Sequence, residues 1–220
     1  MSKNTKLSLV SNLLLIIFGI IGFLNINGEN NLLLFYTNDS NILCLLSAIL
    51  YVLFKIIYKE KDLPFVILII RYMASACLCL TFLTVVFYLA VFDALGSSNF
   101  INAYFNSLLL YLGKDSFLYY HLLCPIISFI SFSFFEGDRR LNKKKTIYYA
   151  LLPTLLYAII LVILNINGIV EGPYPFLMIN NQEIYISIIS FVVIFVIDYI
   201  CARFILLLNQ KYAPRRRIRK

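Results

Sequence analysis

Residues 64–92 read PFVILIIRYMASACLCLTFLTVVFYLAVF, with Arg71 as the single charge. Crossing the ~30 Å hydrocarbon core of a bilayer takes about 20 apolar residues, so a run this long is read as a tilted membrane span. Five further apolar runs, at roughly 7–26, 39–57, 117–135, 146–166 and 184–208, extend the reading. The chain is expected to be all-α, a polytopic membrane protein built as a bundle of six transmembrane helices, with residues 1–220 forming a single integral membrane domain. A composition of 61% hydrophobic and 14% charged residues excludes an ordinary soluble enzyme. The apolar core from Leu7 to Ile26 is too long for a signal-peptide h-region and lacks a small-x-small exit, so it counts as a helix.

The net charge of +8 raises the question of nucleic acid, and its placement answers it. Lys and Arg concentrate at the N-terminus (Lys3, Lys6), at 55–63 (Lys55, Lys59, Lys61), at 139–145 (Arg139, Arg140, Lys143, Lys144, Lys145) and toward the C-terminus (Arg203, Lys211, Arg215, Arg216, Arg217, Arg219, Lys220). The alternating connections at 27–38, 93–116 and 167–183 hold only Lys114. This positive-inside pattern predicts a multi-pass protein of the cell membrane with both termini cytoplasmic and no nucleic-acid partner. The basic tail at 211–220 is expected to touch anionic lipid.

Cys44, Cys77, Cys79, Cys124 and Cys201 all fall inside predicted spans. None forms a CxxC pair, and Cys77-x-Cys79 has no histidine or carboxylate nearby in sequence to complete a metal set, so they read as packing residues, with no metal and no cofactor expected. Two charges lie within spans: Arg71 in the third and Asp198 in the sixth, at comparable depth. A buried charge is costly, and the pattern is expected to be an Arg71–Asp198 bridge between these helices or a contact for a substrate or ion.

Polar chemistry gathers at the outward ends of the even-numbered spans. The second opens with Phe35-Tyr36-Thr37-Asn38-Asp39-Ser40-Asn41. One such residue serves as a helix cap, but five in a row exceed that need, and Thr37 and Asn41 share one face. The fourth opens with Tyr119-Tyr120-His121-Leu122-Leu123-Cys124-Pro125, holding the only histidine in the chain. Pro125 is expected to free the His121 carbonyl and bend the helix, opening space beside the imidazole. An interfacial side chain with its tip in water is the alternative for His121. Before the sixth span, Glu171-Gly172-Pro173-Tyr174-Pro175-Phe176-Leu177 is a stiff outer loop able to cap a pocket. Phe100, Ile101, Tyr104, Leu108 and Tyr111 recur at helical spacing in an otherwise polar connection, which predicts a short interfacial helix on the outer leaflet.

Phe35-Tyr36-Thr37 with Ser40-Asn41, His121-Leu122-Leu123-Cys124-Pro125, and Pro173-Tyr174-Pro175-Phe176-Leu177, in this order, resemble the androgen-induced-protein type (AIG-like) family of six-span membrane proteins, most closely its bacterial branch. The resemblance covers about residues 10–205. It implies an atypical threonine-type lipid esterase in which Thr37 and His121 are the catalytic pair, acting on fatty acid esters. Bacterial members often carry an acidic residue followed by tryptophan about ten residues past the histidine, where this chain has Ser131 and Phe132.

The mechanism so implied is acyl transfer from a membrane lipid or fatty acid ester: His121 removes the Thr37 proton, and the N-terminus of the second helix, with Asn38 or Asn41 as polar support, stabilises the oxyanion. Tyr120, Pro125, Tyr174 and Pro175 are expected to line the pocket, and Asp39, Tyr120 and Tyr174 compete to orient the imidazole. The alternative is a substrate-binding membrane subunit of a small-molecule transporter with Arg71 and Asp198 in the pathway; a non-enzymatic lipid-binding or assembly partner is a third reading.

Overall fold

The computed structural model describes residues 2–26, 32–59, 61–142, 145–174 and 177–212. Among these, six helices are long and apolar enough to cross a membrane: α1 (Lys3–Leu24), α2 (Tyr36–Tyr58), α3 (Phe65–Ala94), α5 (Asp115–Phe135), α6 (Thr146–Ile166) and α7 (Ile184–Tyr212). Between α3 and α5 lies α4 (Phe100–Gly113). The chain is thus an all-α polytopic bundle. Six antiparallel passes put both terminal helix ends on one side, here called the proximal end; the α1–α2, α3–α5 and α6–α7 connections lie at the distal end.

The faces are distributed as a lipid environment dictates. In α1 the buried positions are Thr5, Ser8, Asn12, Leu15, Gly19 and Gly22, a stripe of mostly small or polar residues at spacings of three and four, while Val10, Leu13, Ile17 and Ile20 point outward. Lipid tails are as apolar as leucine, so helices associate through close approach and hydrogen bonds instead. Helix α3 lies at the centre, packed against α2, α5, α6 and α7. One apolar cluster joins Leu15, Cys44, Leu78 and Cys124, and a second joins Tyr72, Phe132, Ile147 and Ile205. Tyr72 stacks on Phe132 and donates to the Ala202 carbonyl at 2.9 Å, tying α3 to α7.

Gly22 is required by a close approach. A Cβ there would come within 2.3 Å of the Tyr120 ring, so only glycine admits that ring against α1, where its hydroxyl reaches the Gly19 carbonyl at 3.2 Å.

At the proximal end the structure corrects the expected Arg71–Asp198 bridge. Arg71 pairs instead with Glu136, Nε to Oε2 at 3.1 Å and Nη2 to Oε1 at 2.9 Å, both side chains fully buried. The last turn of α5 is π-helical over Ser131–Phe135 and gives way at Glu136, whose carboxylate remains buried in the bundle and offers the fork that guanidinium geometry favours. Ser131 donates to Oε1 at 2.6 Å, Asn12 to Oε1 at 2.9 Å, and Arg71 Nη1 donates to Ser47 at 3.2 Å. Asp198 is buried elsewhere, beside Thr154 and Cys77, and neither carboxylate oxygen has a hydrogen-bond partner. Below the pair a polar vestibule of about 240 Å³ opens between Thr5, Tyr51, Lys55, Glu136 and Arg140.

Candidate active site

Thr37 is the second residue of α2, behind the N-cap Phe35, so its amide belongs to the unpaired first turn and its hydroxyl is available for other contacts. His121 sits on a different kind of helix. Residues Leu118–Leu123 are π-helical, with the Cys124 amide bonded to the Tyr119 carbonyl five residues back. In that register Pro125, lacking an N–H, leaves the Tyr120 carbonyl unpaired, where an α-helical register would have left that of His121. Asn41 Nδ2 supplies the missing donor, reaching the Tyr120 carbonyl at 3.2 Å and the Thr37 carbonyl at 2.8 Å. This one side chain bolts α2 to α5 at the level of both candidate catalytic residues.

The pair meets across that joint. Thr37 Oγ1 lies 3.2 Å from His121 Nε2, and His121 Nδ1 lies 3.0 Å from the Tyr111 carbonyl oxygen. A carbonyl can only accept, so Nδ1 carries the proton; Nε2 then presents its lone pair to the Thr37 hydroxyl. That is the tautomer a general base needs. Phe117 stacks on the imidazole at 5.3 Å between ring centroids, and Tyr111 meets it edge-on. His121 is buried and Thr37 half-buried. The residue that orients the imidazole is therefore none of Asp39, Tyr120 or Tyr174, and it acts through its backbone.

Tyr174 has another place. Its hydroxyl lies beside the Thr37 side chain and the first-turn amides of α2. Burial pushes this phenol up to about 12, against the lowering effect of those neighbours, so it stays protonated at neutral pH. The loop that delivers it turns at Gly172, where φ is +97° and a Cβ would meet the Leu177 carbonyl oxygen at 2.8 Å. Pro175 lies outside the described residues, as does most of the basic tail, from 213 onward. The Tyr36 amide also donates to the Tyr157 hydroxyl at 3.1 Å.

The expected oxyanion role of Asn38 and Asn41 is corrected by these bonds. Asn38 Nδ2 donates to the Leu32 carbonyl at 2.9 Å, and both Asn41 hydrogens are taken by carbonyls, so each amide serves as polar support of the backbone. Asn41 Oδ1 is buried without a partner. The donors nearest the Thr37 hydroxyl are the Thr37 amide and the Tyr174 hydroxyl, at the positive end of α2.

An apolar slot of about 50 Å³ adjoins Thr37, walled by Leu80, Val85, Leu89, Phe191, Ile194 and Phe195, with Tyr36 and Thr154 also on its lining. Tyr36 and Thr154 hydroxyls are 2.8 Å apart. Among the described residues no three His, Cys, Asp or Glu side chains gather as a metal set. Comparison with protein-family models, curated proteins and solved structures finds no match for this chain.

Sequence reading missed Tyr111, Glu136 and Tyr157. Tyr111 acts through a carbonyl, which no residue type signals; Glu136 follows the apolar run beside Gly137-Asp138-Arg139-Arg140 and has the look of loop.

Proposed function

We propose that this protein is an intramembrane lipid-ester hydrolase or acyl transferase working through a Thr37–His121 dyad. The observation that carries the reading is the chain Thr37 Oγ1 to His121 Nε2 to Tyr111 carbonyl, at 3.2 Å and 3.0 Å, which leaves an unprotonated ring nitrogen facing a hydroxyl. The resemblance to AIG-like lipid esterases names the same two residues. The Lys and Arg asymmetry places the distal end, and with it the dyad, toward the outer leaflet, with the termini cytoplasmic.

In this reading the ester carbonyl reaches Thr37 and the first methylenes of the acyl chain enter the apolar slot. His121 Nε2 takes the Thr37 proton as Oγ1 attacks the carbonyl carbon, and the negative charge passes to the carbonyl oxygen. The Thr37 amide and Tyr174 hydroxyl face that charge at the N-terminus of α2, where fixed dipoles favour it. The imidazolium then returns its proton to the departing alkoxide, leaving an acyl-threonine. Water or a second alcohol, deprotonated in turn by His121, releases the acyl group.

The test is covalent labelling of the purified protein by a fluorophosphonate in bilayer nanodiscs. Wild type is expected to label, with Thr37→Ala and His121→Ala silent at unchanged folding; equal labelling of all three overturns the reading. The transport alternative retains one supporting observation, the polar vestibule beside Glu136. Saturation of Arg71 by Glu136 and Ser47 makes it part of the frame in either case.

A further inference from the structure

Helix α4 has no buried residue, yet it supplies the Tyr111 carbonyl that fixes the His121 tautomer. Its half-buried side packs on the last turns of α3 and the start of α5, and its other side is left outside the bundle. Its protein contacts include the Tyr104 hydroxyl on the Val86 carbonyl at 3.3 Å and the ring contacts of Tyr111 with Phe117 and His121. Ile101, Phe105 and Leu109, spaced by four, form one outward stripe at 65%, 58% and 69% exposure. The flanking spans also end in exposed apolar side chains, Phe87, Phe92 and Leu95 before α4 and Phe117 after it. Those ends face lipid, so the partner of the stripe is the acyl region of the same leaflet.

The joint between α4 and α5 is equally specific. A single residue, Lys114, lies between them, and Asp115 follows at φ +49°, a left-handed conformation that Asp tolerates and β-branched residues resist. That turn folds the last residues of α4 over the imidazole, and Val86, which anchors Tyr104, lies in the π-helical stretch of α3.

We propose that α4 is a membrane-seated clamp: insertion of its Ile101–Phe105–Leu109 face into the distal leaflet holds the Tyr111 carbonyl on His121 and so keeps the ring in the Nδ1–H form. The link to turnover rests on the dyad reading above; the clamp itself is a statement about one histidine and one carbonyl. Tyr111 is then a positioning residue, and lipid contact becomes a condition for a reactive Thr37.

The composition supplies two background-free probes, since the chain has one His and no Trp. In nanodiscs, ¹⁵N-histidine NMR is expected to show a protonated Nδ1 and a bare Nε2, the reverse of the form imidazole favours in water. Phe105→Asp with Leu109→Asp should convert this to exchanging tautomers and lower fluorophosphonate labelling about tenfold. Asp115→Val should do the same with the apolar face intact, and Asp115→Gly should behave as wild type. Leu109→Trp should be quenched by lipids brominated on their acyl chains and protected from aqueous iodide. An unchanged tautomer in both the double variant and Asp115→Val overturns the clamp. Quenching by iodide, or loss of a dimer in Leu109→Asp by analytical ultracentrifugation, overturns lipid as the occupant in favour of water or a second copy. A tautomer that shifts as described while no variant or wild type labels leaves the clamp standing and removes the hydrolase reading instead.

Discussion

The two ends of the bundle both bury polar groups where α5 meets its neighbours, and they treat them in opposite ways. At the proximal end Glu136 accepts from Arg71, Ser131 and Asn12, and Arg71 spends its remaining nitrogen on Ser47. At the distal end Thr37 is half-buried beside a slot, and its hydroxyl faces an unprotonated ring nitrogen. Each end leaves one buried amide oxygen unpaired, Asn12 Oδ1 and Asn41 Oδ1, so the contrast lies in the charges: those of the proximal network are committed to one another and serve as a lock. A network with one bare ring nitrogen and donors at a helix N-terminus has capacity for chemistry. The difference teaches that intramembrane charge alone is a poor guide to the end proposed for catalysis: the Arg71–Glu136 charges belong to the lock.

The sharpest way to break this contrast is to remove the dyad. Thr37→Ala and His121→Ala are each expected to lower lipid-ester turnover by about 10³-fold or more, roughly 4 kcal/mol of barrier, with the thermal unfolding midpoint unchanged. A matching loss of stability would make the distal end a lock too. Next comes Glu136→Ala, which strands a buried guanidinium and should cost about 3–5 kcal/mol, read as early unfolding by fluorescence-detected size exclusion. Arg71→Met combined with Glu136→Leu should recover most of that loss and keep fluorophosphonate labelling, because the pair is structural.

Smaller effects sharpen the comparison. Gly22→Leu pushes Tyr120 out of its notch and should cost about 1–3 kcal/mol, with turnover falling because Tyr120 adjoins His121 on the same π-turn. Tyr174→Phe removes one donor at α2 and should reduce kcat about tenfold, near 1.4 kcal/mol, at constant KM and constant stability. Its hydroxyl is held protonated by burial, so this contribution should not vary between pH 6 and 9. Asp198→Asn should be the mildest, within about 1 kcal/mol of wild type, and its effect should add to that of Arg71→Ala in the double variant, since the two side chains share no contact. Strong coupling between them would restore the α3–α7 bridge.

Much of this organisation was legible in the residues. The six spans follow from length and apolarity, which leave little room for tertiary context to override them. Thr37 and His121 could be placed at one level because consecutive helices alternate in direction. The rest depended on facts with no residue signature: a backbone carbonyl as the partner of Nδ1, a π-turn that reassigns the bond lost at Pro125 from His121 to Tyr120, and a carboxylate just past a helix end that remains buried in the bundle. The Arg71 expectation missed on depth as well. It set Arg71 and Asp198 at comparable depth, whereas Asp198 lies beside Cys77, nearly two turns further along α3, and Glu136 is the carboxylate at the level of Arg71.

The π-turn at Leu118–Leu123 has a further consequence when seen as an insertion. A π-turn is an α-helix with one residue too many, and each residue of an α-helix sweeps about 100° of azimuth. The wide turn absorbs that residue, so deleting Leu122 would let the segment relax to ordinary helix with the two flanks of α5 close to their present phase. The change would fall on the turn itself, where the i→i+5 register leaves the Tyr120 carbonyl to Asn41 and sets the direction of His121. One codon therefore sets the local width of α5, and a chain that lost it would keep its fold, its spans and its charges while the joint between Asn41 and Tyr120 was lost.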